Sequence, residues 1–156
     1  MIDRSKVANF MIFREMDAAD VAAILASSQQ LSYGAGAVVL EEDENGPDSD
    51  LFIILEGRAE ILIESMRAPK PGVARHRQIT TLDQGEVFGE IGLLRGKRRS
   101  ARVKAYTGLD VLKVNRRMLF EHLEKNPRLG YLFMRNLASI LSDRLIDLNF
   151  MLRNEP

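Results

Sequence analysis

The sequence predicts a mainly β fold: a sandwich or barrel of short strands with helices flanking it. Three observations support this prediction. Residues 30–114 contain short apolar or alternating runs separated by glycine turns, which is typical of all-β domains. Residues 3–28 and 116–152 instead have apolar side chains at helical spacing. With 156 residues, 46% of them hydrophobic and 28% charged, the chain has the size and composition of one globular domain.

Composition excludes several classes of protein. The chain has 22 basic and 22 acidic residues, whereas a free-standing nucleic-acid binder usually has a basic excess, so we expect no nucleic-acid binding by the chain itself. It has no cysteine, which excludes disulfides and cysteine-ligated metal clusters. It has no run of about 18 apolar residues and no signal-peptide pattern, so we expect a cytoplasmic protein that makes no membrane contact.

The first 29 residues are predicted to be helical. Ile24 and Leu25 follow Val21 at helical spacing, and Asp17 with Asp20 could cap the start of that helix. An apolar patch precedes it, formed by Phe10, Ile12, Phe13 and Met16. We expect these helices to cover one end of the core.

Residues 30–115 are predicted to form the strands. Residues 51–55 are almost continuously apolar, so this strand should be buried. In the next strand Ala59, Ile61 and Ile63 alternate with polar residues, and Leu62 is the exception. The acidic run 41–50 and the basic segment 65–77 are predicted to be hairpin loops, the second of them a possible partner contact.

Residues 116–153 are predicted to be helical, with a break near Asn126 and Pro127. Two apolar stripes follow the break. The first comprises Phe133, Leu137 and Ile140, and the second comprises Met134, Ala138, Leu141, Leu145, Leu148 and Leu152. Because the second stripe alternates spacings of four and three residues, like a coiled-coil seam, we assign it to a second copy of the chain. A single wide core face is the alternative.

Residues 87–105 combine features that suit a ribose phosphate. Gly89 and Gly92 surround Glu90 at the start of a short apolar turn, and Arg99 follows nine residues after the glutamate. Glycines near a short helix let backbone N–H groups approach an anion, and an arginine fork grips two phosphate oxygens. A carboxylate can accept a hydrogen bond from a sugar hydroxyl.

This stretch resembles the phosphate-binding cassette of the cyclic nucleotide-binding domain family. The family includes regulators of the catabolite activator type, regulatory subunits of cyclic-AMP-dependent kinase and cyclic-nucleotide-gated channels. The matching residues are Phe88-Gly89-Glu90, Leu93-Leu94 and Arg99-Ser100-Ala101, with Val103 and Ala105. The resemblance implies an eight-stranded jelly-roll β-sandwich, a helical N-terminal segment and a long C-terminal helix that lids the nucleotide and often dimerises the protein.

The resemblance also implies roles for individual residues. Arg99, Ser100 and backbone N–H groups from Gly89 to Ala101 would hold the phosphate, and Glu90 would bond the ribose 2′-hydroxyl. The base would lie near Leu82 and under Arg144, whose Asp143-Arg144-Leu145 context matches a channel-type sequence. The complete predicted ligand-binding set is Leu82, Phe88, Gly89, Glu90, Ile91, Gly92, Leu93, Arg99, Ser100, Ala101, Arg144 and Leu148.

Simpler interpretations exist for three of these residues. Glu90 could serve as a helix cap and nothing more. Arg99 could belong with Arg98 to a solvated basic run, and Ser100 could be a phosphorylation target. Strand alternation favours the binding role for Arg99: if Val103 and Ala105 face the core, Arg99 shares their side and Arg98 does not. An inward-facing arginine then needs an anion, because an unpaired buried charge is costly.

We therefore predict a single domain, residues 1–156, that senses cAMP or cGMP and is not an enzyme. No metal site, cofactor or nucleophile–base arrangement is expected. Within the 156 residues there is no DNA-binding domain, second nucleotide-binding domain or pore, so the signal is expected to pass to an unknown protein partner or to a homodimer through the C-terminal helix. Two alternatives remain: an interaction domain that has lost its ligand, and the sensor part of a transcription regulator.

Overall fold

The computed structural model describes residues 2–42, 49–65, 71–72, 75–96 and 99–154. These residues form two four-stranded antiparallel sheets. The first sheet has the order β1 (Ser28–Tyr33), β8 (Leu109–Val114), β3 (Leu51–Glu56) and β6 (Val87–Phe88). The second has the order β2 (Val38–Leu40), β7 (Arg102–Ala105), β4 (Ala59–Glu64) and β5 (His76–Leu82). The predicted eight-stranded sandwich is confirmed.

Helices precede and follow the strand region, as predicted, and one short helix lies within it, between β6 and β7. They are α1 (Arg4–Val7), a 3₁₀ helix (Met11–Phe13), α2 (Ala18–Ala26), α3 (Glu90–Arg95), α4 (Arg116–Lys125) and α5 (Pro127–Asn154). The break near Asn126 is confirmed, since Asn126 caps the end of α4 and Pro127 begins α5. Among the described helices, none combines the length and the apolarity that crossing a bilayer requires.

The first sheet separates two apolar cores, and strand β3 shows why. Leu51 and Ile53 pack with the helices, whereas Phe52 and Ile54 pack between the two sheets. Successive side chains of a strand point to opposite faces, so a strand covered on both faces must be apolar at every position. This is the reason for the continuous apolar run that the sequence shows at residues 51–55.

A capping box starts helix α2, as the aspartates predicted. The Asp17 carboxylate accepts from the Asp20 N–H at 2.8 Å, and the Asp20 carboxylate accepts from the Asp17 N–H at 3.1 Å. Asp20 is buried and also accepts from Arg128 of α5 at 2.7 Å. The hydrogen bond from Arg128 holds the pKa of Asp20 below its usual value, against the opposing effect of burial.

Further contacts join the N-terminal segment to the middle of α5. The buried Asn136 side chain donates to the carbonyls of Ile12 and Arg14, at 3.0 and 2.8 Å. Arg135 pairs with Glu15 at 2.9 Å. These contacts fix the first half of α5 against the N-terminal helices.

The two apolar stripes of α5 do not separate as expected. Phe133 and Leu137 are buried in the helix-side core, but Met134 and Leu141 of the second stripe pack partly against the same core. This part of α5 therefore has one wide core face. The assignment of the second stripe to a second copy of the chain is wrong for Met134 and Leu141. Farther along, the exposed apolar side chains are Leu145, Ile146, Leu148, Phe150, Met151 and Leu152.

Several predictions fall on residues outside the described ranges. They concern most of the acidic run (residues 43–48), parts of the basic loop (residues 66–70 and 73–74) and residues 97–98, which include Arg98.

Candidate functional site

A cavity of about 620 Å³ lies between the second sheet, the 87–105 cassette and helix α5. Its volume falls in the range of small-molecule sites, roughly 300–1,000 Å³. The predicted residues that line it are Leu82, Phe88, Gly89, Glu90, Ile91, Gly92, Arg99, Ser100, Ala101, Arg144 and Leu148. The fold thus brings two distant parts of the sequence, residues 82–101 and residues 144–148, to one site.

Leu93 is the predicted site residue that does not belong to this set. Its side chain is completely buried in the helix-side core, with Leu119 of α4 and Phe133 of α5. Helix α3 turns this side chain away from the cavity, because the helix packs between the cavity and that core. We therefore remove Leu93 from the candidate ligand-binding residues.

Arg99 is buried, with 8% of its surface exposed, and lies against the start of α3. Its Nη1 donates to the carbonyls of Gly89 and Asp50, at 3.2 and 3.3 Å. Gly89 has φ 81°, a left-handed conformation, and a Cβ there would lie 2.9 Å from both Arg99 Nη1 and the Asp50 carbonyl oxygen. Glycine is needed at position 89 both for this turn and for the space that the guanidinium occupies.

The reason for the burial of Arg99 differs from the predicted one. Strand β7 begins at Arg102, so alternation along a strand does not reach Arg99. Val103 and Ala105 do face the core between the sheets, as expected. Arg99 instead turns inward in the segment before the strand, where the two backbone carbonyls hold its guanidinium.

Glu90 and Arg144 form an ion pair across the cavity, with 3.2 Å between Oε1 and Nη1. Arg144 Nη2 also donates to the Val87 carbonyl oxygen. Both side chains are largely buried, at 13% and 23% exposure. Within the described part of the chain, Arg144 Nε is buried without a hydrogen-bond partner. Glu90 is therefore more than a helix cap, because its carboxylate pairs with a side chain of α5.

Sequence reasoning missed the wall opposite the cassette. Ile61 and Ile63 of β4 and Thr80 of β5 line the cavity, and Ile61 and Thr80 are direct neighbours across the two strands. The alternation of apolar and polar residues in the sequence predicts that both isoleucines share one face of the strand. It does not show that this face lines a cavity. Asp147 and Met151 of α5 also line the cavity, and neither residue had a distinguishing pattern in the sequence.

The arrangement suits a ligand with an anionic group, a hydroxyl group and an apolar ring. Arg99 and Ser100 can donate to an anion, and Glu90 can accept from a hydroxyl. The β4–β5 wall and Leu148 offer apolar contact. Such a mixture of an apolar lining and a few polar groups is typical of specific small-molecule sites.

Comparison with known proteins assigns the chain to a family. The sequence profile described as "Cyclic nucleotide-binding domain" matches residues 30–126. This range includes the strands from β2 to β8, the cassette and helix α4. The chain belongs to the cyclic nucleotide-binding domain family, a regulatory ligand-binding family, as the cassette predicted.

Two curated relatives and one solved structure illustrate the likeness. The chain is 30% identical over 138 residues to Glutaminase 2 of Bradyrhizobium diazoefficiens, covering 88% of this chain and 20% of that protein. It is 34% identical over 99 residues to the cAMP-dependent protein kinase regulatory subunit of Mycosarcoma maydis, covering 64% and 17%. The cyclic nucleotide-binding domain from Methylobacillus flagellatus superimposes with a TM-score of 0.82 at 19% identity, covering 98% of this chain and 84% of that one. The chain thus spans about a fifth of the length of the curated relatives it matches.

Proposed function

We propose that the chain binds cAMP or cGMP in this cavity and signals through a movement of helix α5. The supporting observation is that Glu90 of α3, Arg99 of the segment before β7 and Arg144 of α5 all line one cavity. The family assignment supports the cyclic nucleotide as the ligand class. The name of the kinase relative supports cAMP as one candidate.

The phosphate and ribose would occupy the cassette side of the cavity. Arg99 and Ser100 would donate to the phosphate, together with backbone N–H groups between Gly89 and Ala101. Glu90 would accept from the ribose 2′-hydroxyl. In a site largely screened from water these charge-assisted bonds are stronger than neutral hydrogen bonds, so they would provide most of the selectivity for a cyclic nucleotide.

The base would occupy the α5 side, near Leu82 and Leu148 and beneath Arg144. Arg144 lines the cavity on this side, which supports this placement. The guanidinium plane of Arg144 could stack on the purine ring. If the ligand contacts α5 only when the helix lies over the cavity, ligand binding increases the population of that helix position.

We propose that residues 1–156 form one domain without catalytic activity of its own. Its output would be contact with a protein partner, with another part of a longer chain or with a second copy. The exposed side chains of Ile146, Phe150 and Leu152, which do not line the cavity, support such a contact, since burying one leucine contributes about 1.5–3 kcal/mol. The cytoplasmic location expected from the sequence stays a prediction.

Spin labels can test the movement of α5. Because the chain has no cysteine, Gln29→Cys on β1 and Asp143→Cys on α5 would provide two unique labels at exposed positions. Labelled protein, diluted into unlabelled protein, should show a shifted or narrower distance distribution with saturating cAMP or cGMP. Linear 5′-AMP is the control and should leave the distribution unchanged. Identical distributions with and without the cyclic nucleotides would contradict the proposal.

A further inference from the structure

Strand β1 forms one outer edge of the first sheet. The Ser27 carbonyl oxygen accepts from the Asn115 N–H at 2.8 Å, so this carbonyl points toward β8. The N–H on the same planar peptide belongs to Ser28 and points the opposite way. Because backbone groups of alternate residues in a strand point to the same side, Ser28, Gln30 and Ser32 direct their N–H and carbonyl groups away from the sheet. Among the described strands β8 alone pairs with β1, so these groups are free to pair with a further strand.

The other sheet edges have features that limit such pairing. β6 has two residues, and β2 has three, with a register shift between Val38 and Leu40. β5 has a register shift opposite Ile61 and Leu62 and carries Arg77. Short strands, bulges and charged side chains are common protections of an edge. β1, by contrast, has six residues in uninterrupted register without a charge or a proline, so it is the edge best suited to accept a strand.

The side chains of β1 indicate the pattern that an added strand needs. Leu31 and Tyr33 pack partly against the core between the sheets, so the added strand should be apolar on that side. Gln30 and Ser32 alternate with them and are exposed, so the added strand should be polar on the opposite, helix-side face. The pattern that fits is therefore an alternation of apolar and polar residues.

An acidic recess of about 170 Å³ lies on the helix-side face of β1. The polar residues that line it are Asp3, Lys6, Gln30, Glu56 and Asp110. Three carboxylates thus face one ammonium group. The Asp110 carboxylate accepts from Ser32 Oγ and is therefore turned toward β1. Because neighbouring strands are about 4.8 Å apart, a long basic side chain opposite Ser32 on an added strand would reach this carboxylate.

We propose that the free edge of β1 is a docking site for an extended segment of a partner protein, which adds a fifth strand to the first sheet. The segment alternates apolar and polar residues and places a lysine or arginine beside the acidic recess. Main-chain hydrogen bonds to Ser28, Gln30 and Ser32 provide affinity, and the side chains provide specificity. No residue of β1 lines the nucleotide cavity, so the proposal does not depend on nucleotide binding.

A synthetic peptide tests the docking on the intact chain. The probe has about ten residues, within the usual range of strand lengths, and blocked ends. It alternates threonine and valine, with one arginine in place of a central threonine. Added to ¹⁵N-labelled protein, it should shift the amide signals of Ser28, Gln30 and Ser32 saturably, since their N–H groups gain acceptors.

The control is the same peptide N-methylated at every residue. It lacks main-chain donors and should bind at least about tenfold more weakly, as expected on losing several hydrogen bonds. No shift at millimolar peptide, shifts centred on another part of the chain, or equal affinity for the two peptides would overturn the proposal.

A third peptide, with glutamate in place of the arginine, tests the acidic recess. Wild type should bind it about threefold or more weakly, as expected when a surface ion pair is replaced by a like-charge contact. Asp110→Asn keeps an acceptor for Ser32 but removes a charge, so it should reduce this preference for arginine. Asp143→Asn, at an exposed position on α5, is the matched control and should retain the preference. An unchanged preference in Asp110→Asn would overturn the assignment of a basic residue to the partner.

Discussion

Arg144 of helix α5 lies 3.2 Å from Glu90, the first residue of the cassette helix α3. The pair joins the covering helix to the carboxylate that we assign to the ribose. Glu90 thus has two roles in the account, as an acceptor for the sugar and as the partner that holds α5 over the cavity. Both roles can be tested separately, because the first needs ligand and the second does not.

Glu90→Gln should weaken cyclic nucleotide binding about tenfold or more. The variant keeps the shape of the side chain but removes a charge-assisted bond, which is worth roughly 1.5–3 kcal/mol. Calorimetry with cyclic nucleotides and their 2′-deoxy analogues measures the coupling. The analogue should bind wild type more weakly but should bring little further loss in the variant. Independent, additive losses would show that Glu90 does not contact that hydroxyl.

Arg144→Ala should also weaken nucleotide binding, by about 1–3 kcal/mol, since it removes hydrogen bonds from a charged group in a mostly buried position. It should in addition increase the mobility of the second half of α5 without ligand, because the pair with Glu90 is lost. Arg153→Ala, at an exposed position on the same helix, is the control and should do neither. Equal nucleotide affinities for these two variants would exclude a contact between Arg144 and the ligand.

Leu152→Asp should dissociate a homodimer formed through the end of α5. Leu152 is 69% exposed and does not line the cavity, whereas Leu145 does. A change at Leu152 should therefore affect the association of two chains without affecting nucleotide binding. Two facing carboxylates in an apolar seam would be unfavourable. Sedimentation should show wild-type dimers and variant monomers, with nucleotide affinity unchanged. Monomeric wild type at high concentration, with and without nucleotide, would contradict dimerisation through this helix.

Asp20 should make stability depend on pH in acid. Arg128 lowers the pKa of Asp20 in the folded state. The ionised Asp20 carboxylate should therefore contribute fully to the free energy of unfolding above the unfolded-state pKa of Asp, about 3.9. This contribution should fall as the pH drops through the lower folded-state pKa of Asp20. Asp20→Asn should cost about 1–2 kcal/mol at neutral pH, a range that allows for the half-exposed Arg128.

Urea denaturation at neutral pH and again below pH 3 or so measures this contribution. The stability difference between wild type and Asp20→Asn should shrink in acid. Asp143→Asn, at an exposed position, is the control and should show little difference at either pH. A difference for Asp20→Asn that stays constant across this range would contradict the role of its charge.

The sequence was sufficient to predict those features that depend on local patterns. The apolar run at residues 51–55 predicted a buried strand, and the aspartates at 17 and 20 predicted a helix start, because alternation and capping act over a few residues. The cassette could be placed because residues 87–105 resemble the cassette of a known family. Each of these signals is contained within a short segment of chain.

The parts that could not be predicted depend on how distant elements meet. Which side of α3 faces the cavity is decided by packing against α4 and α5, so Leu93 was placed on the wrong side. The pairing of Glu90 with Arg144 requires knowing where α5 crosses the cassette. The burial of Arg99 depends on the carbonyl of Asp50, a residue that is remote in sequence and has no recognisable motif around it.

The central claim, that this cavity binds a cyclic nucleotide, is tested most directly by titrating wild type and Arg99→Ala with cAMP, cGMP and linear 5′-AMP in a calorimeter. We expect saturable binding of at least one cyclic nucleotide to wild type, with much weaker binding of 5′-AMP. Arg99→Ala should lose about 2–5 kcal/mol, the range for removing one partner of a buried charge pair. Arg117→Ala is the control and should lose less than about 1 kcal/mol, as an exposed charge would. Absence of binding by wild type to both cyclic nucleotides, or equal affinities for Arg99→Ala and wild type, would contradict the account.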